Sequence, residues 1–151
     1  MTSAVEEIAA KLKALDGPER ENIINMGLEA TKHMKWVPNL GPQIDGYWTP
    51  ADECFYGGQA GGGKSDLIIG LALTEHENSL VLRRTNKEAS KFFDRYYAII
   101  GHKNGWNGQQ QTWRIDGRTI DMGGCQHEND KQRYKGTPHD LIAFDEITDF
   151  T

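Results

Sequence analysis

A glycine-rich segment in the first half of the chain has the composition of a phosphate-binding site. From Gly58 to Ser65 the chain reads GQAGGGKS, which matches the pattern G-x-x-x-x-G-K-S. A polyphosphate needs several backbone N–H groups aimed at one small volume. Glycine permits this because it lacks a Cβ and reaches left-handed φ values. The pattern therefore predicts a phosphate-binding loop (P-loop) that opens a helix, whose N-terminus favours an anion.

The last two residues of this loop are predicted to have different roles. The Lys64 ammonium would contact the β- and γ-phosphates, and the Ser65 hydroxyl would hold Mg²⁺. Residues 54–56 before the loop are strand-like, and residues 66–74 (DLIIGLALT) are apolar and long enough for a helix. The alternative is a flexible glycine turn. The predicted nucleotide contacts are Gly58, Gln59, Ala60, Gly61, Gly62, Gly63, Lys64, Ser65 and Asp66.

A second segment supplies carboxylates. Residues 141–144 (LIAF) form an apolar run typical of a strand buried on both faces of a parallel sheet, and Asp145 and Glu146 follow it. Ligands of open α/β sheets bind beyond the carboxyl ends of the strands. Asp145 is therefore predicted to lie beside the loop and support Mg²⁺, and Glu146 to polarise the water that attacks the γ-phosphorus. This pairing favours NTP hydrolysis over an ordinary strand with a solvated acidic turn.

Composition sets wider limits. The chain has 151 residues, of which 37% are hydrophobic and 26% charged, as expected for one globular domain. There is no basic, apolar leader and no run of eighteen apolar residues, so neither a signal peptide nor a membrane span is predicted. Cys54 and Cys125 form no C-x-x-C pair, and Cys54 is expected to be a buried thiol in an intracellular protein. The net charge of −5 is not that of a chain that wraps nucleic acid on its own.

The elements that must position these residues can be read along the chain. A capping box at Ser3 and Glu6 predicts a helix over residues 3–15, and Pro18 begins a second helix that runs to about His33. Residues 36–48, rich in Pro and Gly, are predicted to be an extended linker. Residues 79–84 are predicted to form a buried strand. A helix follows over residues 87–100, capped by Thr85 or Asn86.

The last third of the chain is predicted to contain a hairpin between two loops. Asp116-Gly117 is a strong turn signal between strands over residues 111–115 and 118–122. Residues 103–108 and 123–138 are polar and are predicted to be loops. The whole order indicates an α/β fold with a mainly parallel sheet and right-handed crossovers.

The order and spacing of these segments resemble one family. Residues 41–73, residues 79–85 (SLVLRRT), the hairpin and residues 130–150 (DKQRYKGTPHDLIAFDEITDF) look like the ATPase part of a phage terminase large subunit. Such proteins drive double-stranded viral DNA into a procapsid and carry a separate nuclease domain of RNase H-like fold. The resemblance spans roughly residues 36–151, behind a helical N-terminal arm over residues 1–35. It implies an ASCE-type P-loop NTPase whose sheet is incomplete at the C-terminus of this chain.

The resemblance also implies cofactors, partners and roles. ATP and Mg²⁺ are the implied cofactors, with the loop as Walker A and the 141–146 segment as Walker B. The implied partners are double-stranded DNA, a portal protein, a small terminase subunit and further copies in a ring, in the cytoplasm of an infected bacterial host. Gln43 would contact adenine, or alternatively be a solvated linker residue. Arg83 or Arg84 would be an arginine finger, in cis or in trans, or alternatively form a surface salt bridge.

The sequence departs from the family in three respects. Gln59 stands where some members carry an arginine, which raises the interest of Arg83 and Arg84. The motif that senses the γ-phosphate is absent after Glu146, so turnover by these residues alone is in doubt. A nuclease domain is also absent, and DNA cleavage by this chain alone is not expected. The remaining carboxylates are predicted to be solvated turn residues: Asp116, Asp121, Glu128 and Asp130.

Other functions remain open at this stage. A helicase or an AAA+ remodeller would also use an adjacent Asp145 and Glu146. A nucleotide-binding or scaffold fragment would keep the phosphate contacts without turnover. A small-molecule kinase fits less well because Glu146 indicates water activation.

Overall fold

The computed structural model describes residues 11, 14, 15, 17–59 and 61–150. The chain divides into two compact units, Met1–Cys54 and Phe55–Thr151. Most of the helix predicted over residues 3–15 lies outside the described residues. The predicted division into an arm (1–35) and an ATPase domain (36–151) stays a prediction. In the described part of the chain, no helix is both long enough and apolar enough to cross a membrane.

The first unit contains two described helices. Helix α1 spans Pro18–Thr31, which confirms the second predicted helix. Helix α2 spans Pro42–Tyr47, so the prediction of an extended linker over residues 36–48 is wrong. Pro42 fixes a helical φ at the first position of α2, and the Ile44 N–H then closes a turn on the Gly41 carbonyl. The Tyr47 ring packs against Trp36, with centroids 5.7 Å apart.

The second unit is built on a five-stranded mixed sheet. Its strands are β1 (Asn78–Arg83), β2 (Trp106–Asn107), β3 (Thr112–Ile115), β4 (Arg118–Gly124) and β5 (Leu141–Phe144), in the order β2-β3-β4-β1-β5. Strand β1 runs parallel to both β4 and β5, whereas the β2–β3 and β3–β4 pairs are antiparallel. The prediction of a mainly parallel sheet is therefore wrong.

The predicted hairpin explains this mixed character. Asp116 and Gly117 have φ values of 50° and 78°, as a tight two-residue turn requires. Such a turn can join only antiparallel strands, so β3 must run against β4. The polar segment predicted to be a loop over residues 103–108 contains β2, which extends the hairpin. The other predicted loop, residues 123–138, contains a 3₁₀ helix over Glu128–Tyr134.

Two helices pack on this sheet as predicted. Helix α3 spans Lys64–Thr74, directly after the glycine-rich loop. Helix α4 spans Asn86–Ile100 and is capped by Thr85, whose hydroxyl accepts from the Glu88 N–H while the Glu88 carboxylate accepts from the Thr85 N–H. Gly101, with a φ of 80°, ends α4. The core between helices and sheet comprises Ile69, Ala72, Leu73, Val81, Phe92, Tyr96, Trp113, Ile115, Ile120 and Met122.

The capping box also sets the charge of Glu88. Hydrogen bonds from the Thr85 side chain and backbone lower the pKa of the Glu88 carboxyl below its usual value. A depressed pKa means that this contribution to stability is present above the unfolded-state pKa and is lost as the pH falls through the folded-state pKa. The start of α4 is therefore favoured at neutral pH.

Two predictions about buried strands are wrong. Residues 54–56 form no strand: Cys54 is exposed, and Phe55 is 82% exposed. Three residues of β propensity do not make a strand without a paired neighbour. Strand β5 is not buried on both faces, since Ile142 and Phe144 are 56% and 46% exposed. Its opposite face, with Leu141, packs against the core.

The turn before β2 gives a stability test. Gly105 has a φ of 80°, and a Cβ there would stand 1.8 Å from the Arg114 carbonyl oxygen. Gly136 has a similar φ of 85° with open space around it. We expect Gly136→Ala to cost about 1–2 kcal/mol for the left-handed backbone alone. Gly105→Ala should cost about 1–3 kcal/mol more, because the backbone must also shift. Equal urea midpoints for the two variants would contradict the close contact.

Candidate functional site

The glycine-rich loop adopts a conformation that its glycines make possible. Gly58, Gly61 and Gly63 have φ values of 146°, 82° and 72°, which side chains with a Cβ rarely adopt. The Gly62 N–H donates to the Gln59 carbonyl at 3.2 Å, and Gly63 stands at the N-cap of α3. Ala60 lies outside the described residues. The loop thus ends at the start of α3, and the N-terminus of a helix favours an anion.

Lys64 is the first residue of α3 and folds back over the loop. Its Nζ donates to the carbonyl oxygens of Gly58 and Gln59, both at 2.9 Å. The ammonium therefore adds a positive charge to the backbone N–H groups of the same loop. A phosphate bound there would meet both kinds of donor.

Ser65 and Asp145, eighty positions apart in the chain, are in contact. The Ser65 Oγ lies 3.2 Å from Oδ1 and 3.1 Å from Oδ2 of Asp145. Asp145 is only 2% exposed. The structure thus brings together the two residues that the sequence assigns to a metal.

Strand β5 delivers Asp145 because both ends of the strand are fixed against β1. At its start, the Asp140 carboxylate accepts from the backbone N–H groups of Glu77 and Asn78, each at 2.8 Å. Burial alone would raise the pKa of Asp140, but these two hydrogen bonds bring the pKa below its usual value. At its end, the Asp145 N–H donates to the Leu82 carbonyl at 2.9 Å. The parallel register therefore places Asp145 beside Arg83.

Arg83 binds the same carboxylate. Its Nε donates to Asp145 Oδ2 at 2.8 Å, and its Nη2 donates to the same oxygen. The guanidinium also lies 4.8 Å from the centre of the buried Phe92 ring. The Arg83 side chain is 16% exposed, so this is a largely buried ion pair rather than the surface salt bridge considered from the sequence. Arg84 points elsewhere and donates to the Asp149 carbonyl.

Glu146 is exposed and has an unusual backbone. Its φ of 54° lies in the left-handed region, which costs a non-glycine residue roughly 1–2 kcal/mol. Such strain is often found at functional sites. Glu146 borders a cleft of about 210 Å³ at the carboxyl ends of β1 and β5. Three basic and four acidic side chains line this cleft: Arg83, Arg84, Lys91, Glu88, Asp145, Glu146 and Asp149.

Two predicted nucleotide ligands have other partners in the structure. Asp66 forms a two-point ion pair with Arg95 of α4, with both N–O distances at 2.7 Å. The hydrogen bond and charge of Asp66 raise the pKa of Arg95. Gln43, in the first unit, is buried, and its Oε1 accepts from the Asn39 N–H at 2.6 Å. The solvated-linker alternative for Gln43 is therefore wrong, and its contact with adenine stays a prediction.

Asp121 and Asp130, which were predicted to be solvated turn residues, accept hydrogen bonds within the protein. Asp121 lies within β4, where it accepts from the Thr112 hydroxyl at 2.6 Å and stands 3.2 Å from the His139 Nε2. Asp130 accepts from the N–H groups of Gln126 and His127. Across the described ranges, no group of three or more His, Cys, Asp or Glu side chains is arranged to hold a metal ion.

Sequence reasoning missed the Arg83–Asp145 pair, which depends on the register of two neighbouring strands. Leu82 is paired with Phe144 in the parallel ladder, so the next positions along the two strands are Arg83 and Asp145. Opposite charges at adjacent positions of neighbouring strands tend to pair. The contributions of Phe92 and Arg95 also depend on the tertiary structure, since both lie on α4 and follow from how that helix packs.

Comparison of the chain with protein-family models, curated proteins and solved structures found no match.

The Asp66–Arg95 pair gives a test of what Asp66 does. Because Arg95 is 53% exposed, we expect a coupling of only about 0.5 kcal/mol in a double-mutant cycle of Asp66→Ala and Arg95→Ala, measured by urea unfolding. Nucleotide affinity, measured by calorimetry, should stay unchanged in Asp66→Ala. Glu128→Ala, which removes a negative charge from an exposed ion pair with Lys131, is the control for loss of a surface carboxylate. A marked loss of affinity in Asp66→Ala alone would instead make its carboxylate a nucleotide ligand.

Proposed function

We propose that this chain is the ATP-hydrolysing module of a phage terminase large subunit, which drives double-stranded DNA into a procapsid. The observation that carries the proposal is the contact between the Ser65 hydroxyl and the buried Asp145 carboxylate, at the N-terminus of the helix that follows the glycine-rich loop. The two motifs are far apart in sequence, and their meeting at one site is what ATP hydrolysis needs. The terminase assignment itself rests on the order and spacing of the sequence segments.

The site fits a magnesium–nucleotide complex rather than a metal held by protein alone. Mg²⁺ prefers oxygen ligands and usually takes one or two from the protein, with waters and substrate phosphates completing its shell. Ser65 and Asp145 offer such oxygens. When bound with ATP, Mg²⁺ would neutralise charge on the β- and γ-phosphate oxygens.

The remaining residues have roles that follow from their chemistry. The loop N–H groups and the Lys64 ammonium would bind and orient the phosphates. Glu146, strained and exposed at the cleft, would accept a proton from the attacking water. The nearby guanidinium of Arg83 or Arg84 would stabilise charge that develops on the transferred phosphoryl group. In the proposed setting the protein acts in the host cytoplasm with a portal protein, a small terminase subunit and other copies of itself.

Substitution of two residues separates binding from turnover. Lys64→Ala should weaken ATP binding about 100-fold, because it removes a charge-assisted contact to phosphate. Glu146→Gln should keep ATP affinity and lower turnover about 10²–10⁴-fold, as expected on loss of a general base. Affinity is measured with a fluorescent ATP analogue, and turnover by phosphate release.

Matched controls are available on the 3₁₀ helix. Lys131→Ala and Glu128→Gln remove the same charges from exposed positions outside the cleft, and both should behave as wild type. Normal turnover by Glu146→Gln would reject its catalytic role. ATP binding with no turnover by the unsubstituted chain would favour a nucleotide-binding fragment.

The choice between a packaging motor and another motor needs DNA. We expect double-stranded DNA to stimulate ATP turnover without any separation of its strands. A fluorescence-quenched duplex and a phosphate-release assay in the same reaction measure both. Strand separation coupled to turnover would favour the helicase alternative and count against the terminase assignment.

A further inference from the structure

Asp145 has a cation partner supplied by the chain itself. Its Oδ2 accepts from Arg83 Nε and Nη2 and lies 3.1 Å from the Ser65 Oγ. A carboxylate oxygen has about two lone-pair sites, so the two Arg83 donors already fill Oδ2. With the carboxylate 2% exposed, water can replace little of this contact.

The two contacts differ in whether they can coexist with a metal. The Ser65 hydroxyl can donate to Asp145 and still offer an oxygen lone pair to Mg²⁺. The Arg83 guanidinium has only donors, and it occupies Oδ2, one of the two carboxylate oxygens that could accept from the hydration shell of a metal. Two cations at one carboxylate would also repel each other.

The cleft next to Asp145 offers the Arg83 side chain a second position. Arg83 lines this cleft beyond β1 and β5 together with Glu146 and Lys91. The face of Phe92, 2% exposed, supports the guanidinium at 4.8 Å without fixing a hydrogen bond. A small rotation of the arginine side chain could therefore release Oδ2 while the guanidinium stays in the cleft.

We propose that Arg83 is a displaceable counter-ion, which neutralises Asp145 until Mg²⁺ takes its place and which then turns into the cleft towards the terminal phosphate. This inference rests on the proposed function, because it assumes that Mg²⁺ arrives with a nucleotide. It gives Arg83 a positioning role that precedes any role in phosphoryl transfer. Binding of the metal and placement of the guanidinium thus become one event.

The experiment is thermal unfolding of the chain over a series of MgCl₂ concentrations, without nucleotide and with ADP. In Arg83→Gln the buried carboxylate loses its counter-ion, so the Tm without Mg²⁺ should fall by about 5–10 °C. Mg²⁺ alone should have little effect on the Tm of either protein, because the proposed site binds the metal together with a nucleotide. With ADP present, the Mg²⁺ midpoint should fall at least about tenfold in Arg83→Gln, since no internal cation competes.

Three further variants keep the result clear. Lys91→Gln removes a positive charge from the same cleft and should keep the wild-type Mg²⁺ midpoint. Arg83→Gln combined with Asp145→Asn removes both charges, and should recover Tm yet lose the response to Mg²⁺. Arg83→Lys keeps the positive charge and replaces Arg83→Gln in the test if that variant does not fold. Its Mg²⁺ midpoint should lie between those of the wild type and Arg83→Gln.

The outcomes separate this inference from the proposed function. If the wild type binds ADP with Mg²⁺ but Arg83→Gln and Arg83→Lys keep its Mg²⁺ midpoint, Arg83 is a structural ion pair and the inference is wrong, while nucleotide binding stands. If the wild type shows no shift with ADP and Mg²⁺ together, the proposed function fails. A midpoint lowered equally by Lys91→Gln would reduce the effect to general electrostatics and overturn the inference.

Discussion

The burial of one carboxylate, that of Asp145, constrains the rest of the site. An ionised carboxylate away from water is costly unless charged or hydrogen-bonding groups surround it. Ser65 at the start of α3 and Arg83 at the end of β1 both supply donors to it. The loop, β1 and β5 must therefore keep their relative positions for the carboxylate to stay paired. In this way the charge that would serve the chemistry also fixes the geometry.

The sheet supplies the edge at which these groups meet. Strand β1 lies between β4 and β5 and runs parallel to both, so the carboxyl ends of β1, β4 and β5 all lie on one side. The antiparallel hairpin adds β2 and β3 beyond β4, away from β5. There it contributes Trp113 to the core. The hairpin thus adds packing on the side of the sheet away from β5.

The strained backbone of the site is supported by the structure packed around it. Glu146 has a left-handed backbone, and the loop depends on glycines that lose much entropy on folding. Such features persist where the surrounding structure is well determined. Helix α4 provides part of this support, through its capping box, its aromatic contact with Arg83 and its ion pair with Asp66. One helix thus touches both the first turn of α3 and the end of β1.

Local signals in the sequence determined the elements that depend on neighbours along the chain. The glycine-rich loop, a helix cap at Thr85 or Asn86 and the Asp116-Gly117 turn were predicted, because each is set by backbone geometry or by hydrogen bonds over a few residues. The order and spacing of motifs also indicated that Ser65 and Asp145 would meet. Long-range pairing decided what remained: the mixed sheet, the exposed face of β5, the failure of residues 54–56 to form a strand and the ion pair of Arg83. Strand partners and buried charges are chosen by the whole fold, and one segment read alone cannot specify them.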